Sequence, residues 1–575
     1  MVEAIGQFGP GLKPPTRYQL SGPLLKEEFD STKEALQQQQ EEWKLGGCSI
    51  MTDAWTDRKR RSIMNLCVNC RCGTTFVSSK ESSEEAHTGE HIFYYVFKCI
   101  EEVGPDNVVQ VVTDNASNNM AAAKLLKDRM PHIFWSSCAT HTINLMLEGI
   151  GKIPKFKKTL DSAKAFTIFI YAHHKTLWLM RTYTKKGEII RPGVTRFASA
   201  FLTLQSLVEK KESLRNMFTS TEWENCKWSR TAKGKAAYST VLNMNFWNGV
   251  TLCLKVFAPL VKVLRLVDGD VKPSMGFLYG ELKNAKEEIK VVLRNNVSVY
   301  RPILDIIDSK AKDRLDTPLH KTAYLLNPFY CYKDPEIGKD CDLMNALYAC
   351  VEIMYPNDMD KQTRILMNDL VKYTKKEDQF QKPLAKKIWE WDANGTYDPV
   401  QWWNVFGTHT PDLKRMAERI LALTTSSSGC ERNWSTFEGI HTKKRNRLDV
   451  DRLNNLVFVQ FNSKLMNKRK RLMDKKANID VLLASNGDAS NAQGWMVDDG
   501  DEEVEPGTGL TWQLVDEATG ADEMTQPRRS TRVTRDLGEE FESEDEQVEE
   551  DNFEFEADGE QVLERYGEEH HDFDT

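Results

Sequence analysis

The sequence has no run of 18 or more consecutive apolar residues, the length that a membrane-spanning helix requires. Residues 1–6 also lack the basic stretch and apolar stretch that begin a secretory signal. The 12 cysteines among 575 residues follow no regular spacing, so they do not indicate a disulfide framework. These absences predict no membrane partner and reduced thiols, as in the cytosol or nucleus.

Large packing groups are plentiful. Hydrophobic residues make up 40% of the chain, including 14 Trp and 25 Phe. A chain of this length and composition can bury a sizeable core, because the buried share of the surface grows with size. The composition therefore excludes a wholly disordered protein.

The net charge of −8 averages two different regions. Residues 491–575 contain 29 Asp and Glu but 5 Lys and Arg, whereas residues 1–490 contain 56 acidic and 72 basic residues. This asymmetry predicts a basic body that meets a polyanion such as DNA, followed by an acidic tail. The alternative is that the excess of basic residues is spread evenly and serves only solubility.

The hydrophobic pattern divides the chain into regions. Residues 1–45 hold a leader and a polar helix, and residues 46–150 alternate strands with helices in a mixed α/β layer. Residues 151–385 have helical periodicity without a strand pattern. Aromatic residues and further helices follow in residues 386–470, and residues 485–575 are too acidic to fold alone.

Two aspartates directly follow apolar strands, Asp53 after the first and Asp114 after the fourth. The carboxyl ends of strands face the crevice where α/β sheets bind ligands. If these strands are neighbours, the two carboxylates converge and suit a divalent metal bound through oxygen. Aspartate is also an ordinary strand-end and helix-capping residue, so spacing alone leaves that structural role open.

Glu431 follows a Ser-rich turn over residues 424–429, near the start of a predicted helix. A carboxylate in the first turn is stabilised by the helix dipole. In isolation, Glu431 therefore indicates only a favourable helix start.

Taken in order, the motifs of this chain resemble the hAT superfamily of DNA transposases and their domesticated relatives. The resemblance covers residues 20–465, and its first half looks like a domain of unknown function common in hAT-like plant proteins. The last segment is the most specific, because paired Trp, the Ser-rich turn, Glu-Arg and Lys-Arg-Asn-Arg-Leu follow one another. The matching segments are Thr52–Thr56, Val112–Asn118, Cys138–Leu145, Thr195–Ser199 and the long stretch Pro399–Leu448.

The resemblance implies an RNase H-like α/β core with a mixed sheet. In the family this core is interrupted by a large α-helical insertion, expected here over residues 151–385. A C-terminal helical dimerisation segment, residues 386–470, completes the core and precedes the disordered acidic tail.

Carried onto this sequence, the family's three catalytic acids fall on Asp53, Asp114 and Glu431. In the family they hold two Mg²⁺ (or Mn²⁺) ions for DNA cleavage and strand transfer. Cys138 and His141 match the family's Cys-x-x-His motif. Two ligands cannot complete a zinc site, so we expect this pair either to have a structural role or to line the active site.

DNA contacts are expected from basic residues near the insertion start and after Glu431. Phe197 stands where the family usually has Trp, which weakens the expected base stacking. The DNA-binding candidates are Arg196, Phe197, Lys443, Lys444, Arg445 and Arg447. The basic run 468–471 indicates nuclear import or a phosphate-binding patch, with a solvated helix end equally consistent.

Aromatic and apolar residues of the last segment predict a homodimer or a higher homo-oligomer. The expected contact residues are Trp402, Trp403, Phe406, Leu453, Leu456, Val457 and Phe461. The alternative is that these side chains pack only onto the core of their own chain. For the acidic tail there are two alternatives: it binds a basic protein partner, or it only keeps the chain soluble.

Cys67, Cys70, His87 and His91 form pairs typical of a zinc finger. The 16 residues between the pairs exceed the usual gap of about 12, so we expect no structural zinc. The BED-type finger that typically precedes this core is also not seen. We therefore expect either a nuclear hAT-type protein with a retained metal-dependent site, or a non-catalytic scaffold or transcription regulator.

Overall fold

The computed structural model describes residues 15–56, 61–83, 87–191, 197–269, 272–387, 397–440 and 450–474. Within these ranges the chain is mixed α/β and mostly helical. None of the helices in these ranges has both the length and the hydropathy needed to cross a membrane.

One five-stranded mixed sheet forms between residues 48 and 137, in the order β3-β2-β1-β4-β5. The strands are β1 Cys48–Thr56, β2 Ser62–Cys70, β3 Gly73–Glu81, β4 Val108–Thr113 and β5 Phe134–Ser137. The first three pair antiparallel, while β4 runs parallel to both β1 and β5. The first and fourth strands are neighbours, with Met51 opposite Val112, which is the condition for Asp53 and Asp114 to converge.

Helices before and between the strands are close to those that the hydrophobic pattern predicts. Strand β4 is buried along its whole length, as its β-branched run requires. The helices are α1 Arg17–Ser21, α2 Pro23–Ala35, α3 Gln37–Gly46, α4 Gly89–Val103, α5 Ser117–Arg129 and α6 Ala139–Gly151.

The region after α6 is helical through residue 386, and its described residues add no strand to the sheet. Its main core is a cluster of apolar side chains built around the long helix α13. The helices are α7 Pro154–Tyr171, α8 His174–Tyr183, α9 Ala198–Glu209, α10 Lys211–Phe218, α11 Thr221–Glu224, α12 Ala232–Leu242, α13 Met244–Asp268, α14 Met275–Val292, α15 Val297–Ala311, α16 Pro318–Leu326, α17 Pro328–Cys331, α18 Cys341–Met354, α19 Met359–Thr363, α20 Leu370–Lys375 and α21 Pro383–Lys386.

The C-terminal segment returns to the sheet and covers one of its faces. Its helices are α22 Pro399–Phe406, α23 Pro411–Leu421, α24 Ser428–Ile440 and α25 Val450–Asp474. Helices α24 and α25 share a core with Met51, Phe76 and Val112, whereas α4 and α5 bury the opposite face.

An asparagine from α25 occupies the outer edge of the sheet. Asn462 accepts a hydrogen bond from the Phe76 backbone N–H at 3.0 Å and donates one to the Phe76 carbonyl at 3.1 Å. Asn454 donates in the same way to the Ser79 carbonyl at 3.2 Å. These amides take the place of a neighbouring strand, so β3 does not present a bare edge at these positions.

Replacing Asn462 by alanine is expected to lower the free energy of unfolding by about 1–3 kcal/mol. The change leaves the buried N–H and carbonyl of Phe76 without partners, which is the costly outcome for a hydrogen bond. Chemical denaturation would measure it, with Asn455→Ala on the same helix as the control, because Asn455 is half-buried and has no such contact. Equal effects of the two substitutions would contradict a specific role for the amide.

Candidate functional site at the carboxyl end of the sheet

The first part of the site lies where β4 ends and where β1 leaves its pairing with β4; Asp53 lies within β1, which continues to Thr56, and not after the strand as the sequence predicts. Because these strands are parallel and adjacent, the residues that follow their buried parts, Asp53 and Asp114, lie at one edge of the sheet. Asp53 Oδ1 accepts a hydrogen bond from the Ala54 N–H at 2.8 Å. Asp53 Oδ2 is buried and has no hydrogen-bond partner.

The Ser-rich turn before α24 is held against this edge by buried polar contacts. Gln110 of β4 donates to the Thr424 carbonyl at 2.5 Å, and the Ala139 N–H donates to the Thr425 carbonyl at 2.8 Å. The hydroxyls of Ser274 and Thr425 are 2.8 Å apart. These bonds join the sheet, α6, the insertion and the turn, so the start of α24 has a fixed position.

Glycine at position 429 fits the close packing of this turn. A Cβ atom there would lie 3.1 Å from Met51 Cε and 3.2 Å from Thr74 Cγ2, closer than ordinary van der Waals contact. The backbone of α24 therefore approaches the sheet closely, two residues before Glu431.

Three side chains from distant parts of the chain converge here: Asp53 of β1, His141 of α6 and Glu431 of α24. One ligand atom from each lies within 4.8 Å of the others. His141 Nε2 is 3.4 Å from Glu431 Oε1, and the Glu431 side chain is 6% exposed. Two carboxylates and an imidazole at this spacing form a donor set for a divalent cation.

Asp114 lies near this group without being part of it. Its Oδ1 accepts hydrogen bonds from the Ala116 N–H at 3.0 Å and from Asn119 Nδ2 at 2.5 Å. Its charge nevertheless contributes to raising the pKa of Asp53. Asp114 therefore combines the turn-stabilising role expected of a strand-end aspartate with a position beside the acidic group.

The charges of the site shift one another's protonation. Burial, only partly offset by His141, raises the pKa of Asp53 well above its usual value, and Glu431 raises it further. Burial would lower the pKa of His141, but Cys138, Glu431 and Asp53 outweigh it and raise that pKa to about 10. Burial opposes ionisation of Cys138, yet His141 lowers its pKa to about 7. Burial and the neighbouring charges therefore favour the protonated imidazole of His141 and the neutral carboxyl of Asp53.

The Cys-x-x-His motif lies next to the acidic residues, where the sequence placed it. Cys138 is fully buried, and its sulfur accepts a hydrogen bond from the Ser427 N–H at 3.3 Å. His141 belongs to the group of converging donors, a role that the sequence alone does not indicate. The signal that could have found it is that Cys-x-x-His follows a strand at the same edge of the sheet.

Most of the predicted DNA contacts lie outside the described residues, namely Arg196, Lys443, Lys444, Arg445 and Arg447. Phe197 is described and packs against the insertion core, with its ring centroid 5.6 Å from that of Phe257. Base stacking by Phe197 stays a prediction. The acidic tail also lies outside the described residues.

The predicted dimer contacts on α22 are buried within the chain itself. Trp402, Trp403 and Phe406 are 1%, 0% and 4% exposed. On α25, Leu453, Val457 and Phe461 are buried against the sheet, and Leu456 is half-buried. Packing onto the chain's own core accounts for the burial of these side chains.

The zinc-finger-like pairs do not lie together as one cluster of buried ligands. Cys67 belongs to the core on one face of the sheet and Cys70 to the core on the other. The His87 ring is 2.7 Å from the Ser62 hydroxyl. Among the described residues, the group that could hold a metal is the one formed by Asp53, His141 and Glu431.

The described residues combine a mixed sheet that bears carboxylates at its carboxyl edge, a helical region and a helical segment that returns to the sheet. Two family models match the chain: the domain of unknown function DUF659 over residues 15–166 and the hAT family C-terminal dimerisation region over residues 379–463. The chain is therefore a hAT transposase-like protein. No curated protein matches it.

The match over residues 379–463 supports formation of a homodimer. It contains α21 to α24 and the first half of α25, the same segment that contributes Glu431 to the site. A single segment thus contributes Glu431 to the acidic group and carries the match to the dimerisation region.

Proposed function

We propose that this chain is a nuclear, transposase-derived DNA-binding protein whose acidic group supports metal-dependent DNA cleavage and strand transfer. The observation that carries the proposal is the convergence of Asp53 and Glu431, which come from distant parts of the chain. In this proposal the mixed sheet is the RNase H-like core of the family. Its order, three antiparallel strands followed by two parallel ones, supports that assignment.

The donor set fits a divalent cation. Asp53 Oδ2 is buried without a hydrogen-bond partner, and bound metal would satisfy it. Asp53 and Glu431 would hold the ion, with Asp114 as the third acid of the family's set. The chemistry supplied by Mg²⁺ or Mn²⁺ there is activation of water or a 3′-hydroxyl and stabilisation of the leaving oxygen.

The chain's own residues have defined tasks in this proposal. Gln110 and the Ser-rich turn orient Glu431 toward Asp53, because their hydrogen bonds fix the start of α24. Basic residues of the body, with a net charge of +16 over residues 1–490, neutralise the DNA phosphates. The acidic tail is proposed to engage a basic protein partner.

A nicking assay on supercoiled DNA tests the cleavage proposal. The full chain should nick the DNA with added Mg²⁺ or Mn²⁺, and Asp53→Asn or Glu431→Gln should reduce nicking to the level seen without metal. Glu148→Gln is the matched control, because Glu148 lies on α6 but pairs with Lys152 instead of facing the site. Equal activity of Asp53→Asn and the wild type would overturn the assignment.

A second function is favoured by the hydrogen bonds of Asp114. Because its Oδ1 is engaged with Ala116 and Asn119, the third acid is not among the converging ligand atoms. This observation favours a domesticated, non-catalytic scaffold or transcription regulator. Salt-dependent DNA binding by the wild type without metal-dependent nicking would support this second function.

A further inference from the structure

We propose that His141 is a direct ligand of the divalent cation, so that the site prefers Mn²⁺ over Mg²⁺. The inference rests on the metal-dependent function proposed above and specifies the metal. It replaces Asp114 in the primary ligand set with an imidazole. The resulting set has two carboxylates and one nitrogen.

The separation of the His141 and Glu431 donors supports a shared ion. Two donors that each lie about 2.1 Å from one metal, at 90–110° to each other, are separated by about 3.0–3.4 Å. The observed 3.4 Å between His141 Nε2 and Glu431 Oε1 fits this separation. A direct charge-assisted hydrogen bond is shorter, about 2.7–2.9 Å.

An unsatisfied group supplies a second, independent observation. Asp53 Oδ2 is buried without a hydrogen-bond partner, whereas Asp114 Oδ1 already accepts two hydrogen bonds. A buried polar atom without a partner is costly, and an ion between Asp53, His141 and Glu431 satisfies this oxygen. Asp114 Oδ1 has its partners without a metal.

The chemistry of the donors sets the preference. Mg²⁺ favours oxygen ligands in near-ideal octahedral geometry and retains its waters. Imidazole suits transition-metal ions, so a nitrogen donor raises affinity for Mn²⁺ more than for Mg²⁺. Removing His141 should therefore reduce the discrimination between the two ions.

Titration of the full chain with Mn²⁺ tests the inference. The electron paramagnetic resonance signal of the free ion measures how much Mn²⁺ the protein binds. We expect saturable binding by the wild type and at least about 10-fold weaker binding by His141→Ala, because even the outer-shell partner of a ligand typically contributes that much. Mg²⁺, measured by competition, should lose less than threefold. His174→Ala is the control, because His174 is exposed at the start of α8.

Electron spin echo measurements on the wild type supply a readout that does not depend on the stability of a variant. A directly bound imidazole should give ¹⁴N modulation of the Mn²⁺ signal, and this modulation should persist in Asp114→Asn. Mn²⁺ binding that is lost in Asp53→Asn but shows no nitrogen coupling would overturn the role of His141 and leave the metal-dependent function standing. Absence of any Mn²⁺ or Mg²⁺ binding would overturn both.

Discussion

Trp403→Ala is expected to lower the free energy of unfolding by about 3–5 kcal/mol, the range for deleting a large aromatic side chain from a core. Trp403 is fully buried, and its ring centroid lies 4.8 Å from that of Tyr373. Its indole N–H donates to the Leu326 carbonyl at 2.9 Å. The substitution therefore creates a cavity and removes the partner of a buried carbonyl.

Chemical denaturation of the full chain would measure this effect. Val405→Ala is the matched control, because Val405 lies two residues away on α22 and is 57% exposed. It should change the unfolding free energy by no more than about 0.5 kcal/mol. If Trp403→Ala instead kept its stability and lost self-association in sedimentation experiments, the ring would contact a second copy and not the chain's own core.

The stability of the chain should fall as the pH drops from 6.5 to 4, with His320 contributing up to about 3 kcal/mol. His320 is fully buried in α16. Its Nδ1 lies 2.7 Å from the Thr317 hydroxyl, and its Nε2 has no hydrogen-bond partner. Burial lowers the pKa of His320 from 6.5 to about 4. Between these values the unfolded chain binds the proton and the folded chain does not, so acid favours unfolding.

Above pH 6.5 His320 is neutral in both states, and its contribution to stability is fully present. His320→Gln should therefore flatten the pH dependence of unfolding between pH 6.5 and 4, measured as the difference from wild type. His409→Gln is the control, because His409 is exposed on the surface. An unchanged slope in His320→Gln would show that the buried imidazole is not the group that titrates.

The position of Glu431 links the dimerisation region to the acidic group. Helix α24 begins at the Ser-rich turn, and its Trp434 and Phe437 rings lie 6.2 and 5.3 Å from Trp55 on β1. A movement of this segment would therefore displace Glu431 relative to Asp53. This contact connects the segment that carries the dimerisation match with the residues proposed to bind metal.

The sequence by itself determined the local elements and their order. The β-branched run Val108–Val112 has the pattern of a buried strand, and it forms one. The helical period after residue 151 produces helices, because periodic apolar positions create a face that must be buried. The resemblance of the ordered motifs placed Asp53 and Glu431 in one site. Local patterns could not have done so, because they contain no information on contacts between distant segments.

Only the tertiary structure decided which side chains meet and which are buried. His141 joins Asp53 and Glu431, while Asp114 is drawn into hydrogen bonds with Ala116 and Asn119. Composition identified Trp402 and Trp403 as large apolar groups, but burial inside the chain depends on neighbours such as Tyr373, which come from other helices. The physical reason is that hydrophobic burial is non-directional: it requires that an apolar ring be covered, and packing selects the surface that covers it.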